Sequence, residues 1–178
     1  MDSLSPFRQK CGAMVIRIEH RGDAPAIRKV VTTAFERAAH SSGTEAAIVE
    51  ALRSTGGLTL SLVAEKEGEI VGYAAFSPVT IDGTAGAWFG LGPVAVLPEA
   101  QGHRVGHQLI SDGLDRLRAL GAAGCVVLGD PEYYRRFGFE SDAALFCQDV
   151  PARYFQRLAF TGTASSGEVA YHKAFSAS

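Results

Sequence analysis

The chain has 178 residues, 47% of them hydrophobic and 20% charged, with a formal net charge of −2. That is enough for one domain with a real core and too few for two comfortable ones. No long basic run occurs, so nothing favours sequence-independent nucleic-acid binding, which rests on clustered Lys and Arg.

Met1–Ala13 is polar and lacks the apolar core of a signal peptide. It reads as a loose extension ahead of a domain spanning 14–178, with Met14 an alternative start. No stretch reaches the ~18 apolar residues of a membrane helix, so a cytoplasmic protein is expected. Val15–Glu19 alternates and predicts a strand. After the turn Arg21–Pro25, with Asp23 as N-cap, apolar residues at helical spacing predict a helix to about Ala38. Ser41–Gly43 breaks it. Thr44 caps a second predicted helix ending near Arg53. A β-rich block follows: strand Leu58–Glu65, tight turn Lys66–Gly68, strand Glu69–Val79, turn Asp82–Gly83 and strand Ala87–Val96. Gly90 and Gly92 inside the last strand suggest a bulge, or close approach by a ligand or another backbone.

Arg104–Leu120 carries Val105, Leu109, Ile110, Leu114 and Leu117 on one face and is closed by Gly121, which predicts a long amphipathic helix. Gly124–Leu128 is an apolar strand, expected to be buried on both faces. Asp130 caps a brief helix, Pro131–Phe137, ended by Gly138. Phe139–Ser178 alternates strand-like pieces with turns. The order of elements implies an α/β protein with a mixed sheet.

Three cysteines, Cys11, Cys125 and Cys147, include no Cys-x-x-Cys pair. That argues against a disulfide framework or zinc knuckle and suits a reducing cytosol. Cys125 reads as a core thiol. His103 and His107 are four apart and can share a helix face, but no third ligand is near in sequence, so no metal is expected.

The informative block is Leu91–Leu109, an apolar strand running through a short polar turn into the long helix. The first turn of a helix leaves four N–H groups unpartnered, and the macrodipole adds partial positive charge there. A phosphate satisfies both. Gly102 and Gly106 admit a ligand to the main chain; equally, they permit a tight turn and nothing more. Neither a Walker nor a Gly-x-Gly-x-x-Gly pattern is present.

Gln101-Gly102-His103-Arg104-Val105-Gly106 resembles the Gln/Arg-x-x-Gly-x-Gly/Ala cofactor signature of the GCN5-related N-acetyltransferase (GNAT) superfamily. Tyr134-Arg135-Arg136-Phe137-Gly138-Phe139 is similar to its downstream Tyr-x-x-x-Gly-Phe. Val127–Phe139 and Gly167–Phe175 look most like the YhbS-like branch, and the resemblance runs from about Ile16 to Phe175. Arg104 replaces the middle glycine. If that position needs φ > 0, Arg104 is strained; if it is already helical, its N–H survives and its guanidinium adds a phosphate contact. The helical case is expected.

The resemblance implies a GNAT fold: a central sheet of about six to seven strands, splayed in the middle and flanked by about four helices. It implies transfer of an acetyl group from acetyl-coenzyme A to a primary amine by direct attack, without a metal. The cofactor set is then Val94, Ala95 and Val96 for pantetheine, Gln101, Gly102, His103, Arg104, Val105, Gly106 and His107 for the pyrophosphate, with Asp130 and Tyr133 beside them. Tyr133, like Phe137 and Phe139, has packing as its other reading. Gly92 or Val94 would donate an N–H to the oxyanion, an interaction whose loss costs about 3–4 kcal/mol in acyl transfer. Tyr134 matches the family's general acid.

The acceptor side is open. Ala85–Val96 contains no acid, leaving Glu36, His40, Glu45, Asp130 or a water chain as base. Trp88 lines the acceptor pocket or fills core, and Glu99 caps the turn or faces water. A homodimer is common among such proteins. Two alternatives stand beside the enzyme: a non-catalytic acyl-coenzyme A sensor of the same fold, and a nucleotide-binding module of another class.

Overall fold

The computed structural model describes residues 12–39, 41–162 and 165–176. Most of the predicted extension, with Cys11, and the candidate base His40 lie outside them. In chain order the elements are β1 (Val15–Ile18), α1 (Ala24–Phe35), α2 (Glu45–Ser54), β2 (Leu60–Lys66), β3 (Glu69–Ile81), β4 (Thr84–Val96), α3 (Val105–Ala119), β5 (Gly124–Leu128), α4 (Pro131–Tyr134), β6 (Leu145–Phe146), β7 (Phe155–Ala159) and β8 (Gly167–Ala170). Short 3₁₀ turns follow β4, α4 and β8 and precede β7.

The strands run β1-β2-β3-β4-β5-β7 across the sheet, with β8 on the far end of β3 and β6 beside β8. β1 through β4 are mutually antiparallel, β4 and β5 are parallel, and β7 is antiparallel to β5. This is the mixed sheet expected, with β6 as a two-residue addition.

Alternation along the strands divides the core. Leu62, Ala64, Ala74 and Phe76 face α3, which buries Leu109, Ile110, Leu114 and Leu117 against them. Val63, Tyr73, Ala75 and Ala95 face α1, which contributes Ile27, Val30 and Val31. Helices on both faces explain why β2 reads as an unbroken apolar run. β5 is buried through Val127, but Leu128 is 41% exposed, so the expectation of burial on both faces fails at its last residue.

The predicted caps differ in detail. Asp23 makes no side-chain bond to α1. Its carboxylate is instead taken by Arg17 at 2.6 Å and by the His20 N–H at 2.6 Å. Thr44 makes no cap bond either; the Glu45 carboxylate accepts the Ser42 N–H at 2.9 Å. α1 stops at Phe35 rather than Ala38, where its apolar face gives out and Glu36, Arg37 and Ala38 are exposed. Trp88 is core: it is 4% exposed and its indole N–H donates to Ser165 Oγ at 3.0 Å.

A charged network invisible in the sequence ties β1 and α2 to the sheet. Arg53 holds Glu19 through two bonds of 3.0 and 2.9 Å, and Ser61 bridges Glu19 to the buried Tyr73 hydroxyl. Burial pushes the Glu19 pKa up, but Arg53 and Ser61 outweigh it and hold the carboxyl below its ordinary value. A depressed carboxyl contributes stability above its unfolded pKa of about 4.3 and loses it as the pH falls through the lower folded value. Glu19→Gln is therefore expected to cost about 1–3 kcal/mol at pH 7 and to flatten the acid limb of the stability curve. Denaturation at pH 7 and in the acid range below about pH 4 measures both.

Candidate active site

β4 and β5 part at the site. Their pairing runs from Trp88↔Gly124 to Leu91↔Val127 and stops there. β4 stays bonded to β3 through Gly72↔Val96, with a bulge between the Ala74↔Val94 and Phe76↔Leu91 pairs. β5 is drawn the other way: the Gly129 N–H donates to Tyr154 O at 3.0 Å and its carbonyl accepts Gln156 Nε2 at 3.1 Å. The predicted bulge falls at Gly92, with φ +148°.

The Leu97 N–H donates to Val71 O at 2.9 Å. Successive strand residues direct their main-chain groups to opposite sides. Leu97 and Ala95 therefore face β3, while Val94 and Val96 turn N–H and C=O toward the gap. The side chain of Gln101 already uses that freedom, donating to Val96 O at 3.2 Å. Of the expected pantetheine set, Ala95 drops out, since its polar groups are engaged with β3.

After β4 the chain makes a 3₁₀ turn, Pro98–Ala100, and enters α3 at Val105. Among the described residues, the main-chain N–H groups of Gly102 through His107 make no well-aligned hydrogen bond beyond the loose turn at 101–104, and α3 has no side-chain N-cap. Main-chain amides without a well-formed bond, at the turn and first residues of a helix, are the kind of group an anion can satisfy. Gly106 keeps this cradle of amides open: a Cβ there would sit 3.1 Å from the Tyr133 hydroxyl.

A cleft of about 1010 Å³ lies over this cradle. Val96, Gln101, Gly102, Val105, Gly106 and His107 line it, with Tyr133 opposite. His107 stacks on Phe137 at 5.0 Å. His103 does not join them. It precedes the helix, its Nδ1 lies 3.0 Å from Gln101 O, and it borders a separate cleft of about 470 Å³ beside Glu99. The expected helix face shared by His103 and His107 does not form. Glu99 is exposed and caps nothing.

Arg104 corrects the helical expectation. It takes φ 62° and ψ 16°, the left-handed conformation, where a glycine would rest without strain. The chain must reverse before α3, so the backbone demand stays although the residue changed. The guanidinium lines the cleft with those of Arg135 and Arg136, against the single carboxylate of Glu132. Arg135 pairs with Glu132 at 2.9 Å, and Arg136 donates to Tyr133 O at 2.7 Å with its guanidinium over the Tyr133 ring. Arg104 makes no ion pair among the described residues. The sequence reading missed Arg135 and Arg136 as cleft residues, although two adjacent cations beside a phosphate-type turn were the available signal.

Tyr134 stands at the end of β5. Its ring meets Phe139 at 5.9 Å and Tyr133 at 5.0 Å, both edge-on. Gly129 makes room for it, since a Cβ there would lie 2.4 Å from its ring. Burial, with smaller effects of Tyr133 and Cys125, pushes its phenol up to about 12. Asp130 lies outside the cleft lining, where its carboxylate caps α4 by accepting the Glu132 N–H at 2.9 Å. The candidate bases divide: Asp130 and Glu45 are engaged as caps, and Glu36 is exposed. No group of three or more His, Cys, Asp or Glu suited to a metal occurs among the described residues.

A mixed sheet parted beside an amide-lined turn is the architecture the sequence resemblance implied. The model of the acetyltransferase (GNAT) domain matches residues 58–141. The N-acetyltransferase YhbS of Escherichia coli K12 is 41% identical over 157 residues, 88% of this chain and 86% of the relative. A GNAT family acetyltransferase from Brucella melitensis, solved in complex with acetyl-CoA, superposes with a TM-score of 0.83 at 50% identity, covering 92% of this chain and 99% of that one. Escherichia coli YhbS in complex with CoA superposes with a TM-score of 0.86 at 37% identity, covering 98% and 96%. The chain belongs to the GNAT family of N-acetyltransferases.

The left-handed conformation costs an ordinary side chain about 1–2 kcal/mol, and the unfolded-state freedom of glycine gives back about 0.5–1. Arg104→Gly is expected to stabilise the ligand-free protein by about 0.5–1 kcal/mol in urea unfolding. A loss of stability would contradict the strain.

Proposed function

We propose that the protein transfers an acetyl group from acetyl-coenzyme A to a primary amine by direct attack. The observation that carries this reading is the open edge of β4, which presents Val94 and Val96 and ends in the free amides of Gly102–His107. Pantetheine amides would bond that edge as an added strand, and the pyrophosphate would occupy the cradle. The acetyl-CoA and CoA bound to the two relatives support the assignment. Val94 or the bulge at Gly92 would supply the N–H that stabilises the oxyanion.

Tyr134 would donate to the departing sulfur. A phenol near 12 stays protonated across the working range, so the donor is always ready. Complete transfer to a thiolate of pKa about 8.5 is uphill by roughly 3.5 units, near 5 kcal/mol. The role is therefore a hydrogen bond that stabilises the thiolate as the bond breaks, with the proton finally supplied by the attacking amine or solvent.

No helix among the described residues is long and apolar enough to cross a membrane. The acceptor amine is the reacting partner.

Thermal shift against coenzyme A, acetyl-coenzyme A, ATP and NAD tests the cofactor. Ligand at 100 times its dissociation constant stabilises by about 2.7 kcal/mol, and the coenzyme A pair alone should do so. Gly106→Glu is expected to abolish that shift with the fold retained, because its carboxylate would enter the cradle. Arg104→Gly should weaken binding about 10- to 100-fold, the worth of one charge-assisted hydrogen bond, while stabilising the free protein. Tyr134→Phe should lower turnover in thiol-release assays and leave cofactor affinity within about twofold; unaltered turnover removes Tyr134 from the chemistry.

A further inference from the structure

The diphosphate and the pantetheine arm leave one charged group of coenzyme A without a place: the 3′-phosphate on its ribose. Such a phosphate carries about −1.5 to −2 charge at pH 7. The amides of the turn and the Arg104 guanidinium stand together at the start of α3, where the diphosphate would lie. The opposite wall of the cleft carries Arg135 and Arg136, from the 3₁₀ turn after α4.

Arg136 is held in place. Its Nε donates to Tyr133 O at 2.7 Å, and its Cζ lies 4.3 Å from the centre of the Tyr133 ring. That ring is itself set edge-on against Tyr134 and Phe137, with centres 5.0 and 5.8 Å away. Among the described residues the two terminal nitrogens of Arg136 make no hydrogen bond and no ion pair. With Nε occupied, the edge between Nη1 and Nη2 remains, and its two parallel N–H groups match two oxygens of a phosphate. Arg135 adds charge beside it but shares that charge with Glu132 at 2.9 Å.

Position separates this pair from the diphosphate. The Tyr133 hydroxyl reaches the helix start, since a Cβ on Gly106 would sit 3.1 Å from it. The turn amides therefore lie at the hydroxyl end of the Tyr133 ring and the Arg136 guanidinium lies over its face. In coenzyme A the diphosphate and the 3′-phosphate are likewise separated by one ring, the ribose. The cleft, about 1010 Å³, is at the upper end of the range for small-molecule and cofactor sites. Its three guanidiniums against one carboxylate are an excess that a diphosphate and a terminal phosphate together offset.

We propose that Arg136, supported by Arg135, forms a 3′-phosphate subsite that makes coenzyme A the preferred carrier over 3′-dephospho-coenzyme A. Glu132 tempers the subsite by neutralising Arg135. This rests on the acetyl-coenzyme A reading above.

The test is calorimetry on the full chain at pH 7 and low salt, with coenzyme A and 3′-dephospho-coenzyme A as ligands. Wild type should bind coenzyme A roughly tenfold or more tightly than the dephospho form. Arg136→Gln should weaken coenzyme A binding roughly fivefold or more and change binding of the dephospho form by less than about twofold. Glu132→Gln releases Arg135 and removes the carboxylate, so it should tighten coenzyme A binding roughly two- to fivefold and move the dephospho form less. A gain of affinity is not what a damaged fold produces, so Glu132→Gln decides the matter even where Arg136→Gln does not fold. The proposal is overturned by equal wild-type affinity for the two ligands, by equal losses for both in Arg136→Gln, or by a Glu132→Gln variant that binds coenzyme A no better. Each of those leaves the cofactor reading standing. Failure of wild type to bind either ligand would overturn the cofactor reading itself, and the subsite with it.

Discussion

Over its last five residues β4 is bonded on one side only. β3 holds it in extended form through Gly72↔Val96, while β5 is pulled toward Tyr154 and Gln156 by the main chain of Gly129. An unpaired strand edge at the centre of a sheet is a costly arrangement, since each exposed N–H and C=O wants a partner. Everything distinctive about the site follows from it. Val94 and Val96 offer their main chain to the gap, the strand delivers the chain into the Gly102–His107 turn, and Tyr134 seats itself where β5 ends.

Charge then sets the character of the cofactor side. On the α3 face, three guanidiniums and a helix start surround free amides, a setting for a polyanion. Tyr134 belongs to the same face, and in the proposed transfer its phenol, raised by burial, would stabilise the thiolate by hydrogen bonding more than by outright proton transfer.

The sequence was most legible where local chemistry dictates structure. The apolar stripe of α3, the Asp130 cap and the stop at Gly138, which has φ 92°, all appear as read, because each depends on residues within a few positions. The strand–turn–helix block likewise pointed to the amide cradle. Legibility failed where distant groups compete. Asp23 looked like a cap, but Arg17 and the His20 amide claimed its carboxylate. Arg104 was read as already helical, with its N–H kept and its guanidinium free for a phosphate, whereas the turn holds it in the left-handed conformation. The Glu19–Arg53–Ser61–Tyr73 network joins elements far apart in the chain, so no spacing rule reveals it. The loss of Ala95 from the pantetheine set is a matter of strand parity relative to β3, which only the register fixes.

The central claim is that the unpartnered amides after Pro98 and the outward main chain of Val94 and Val96 together hold coenzyme A. An amide-resolved NMR titration of the isotopically labelled protein with coenzyme A addresses it residue by residue. The account predicts the largest shifts at Gly102 through His107, with accompanying shifts at Val94 and Val96 and little change at Ala95. Saturable binding with the Gly102–His107 amides undisturbed would contradict it.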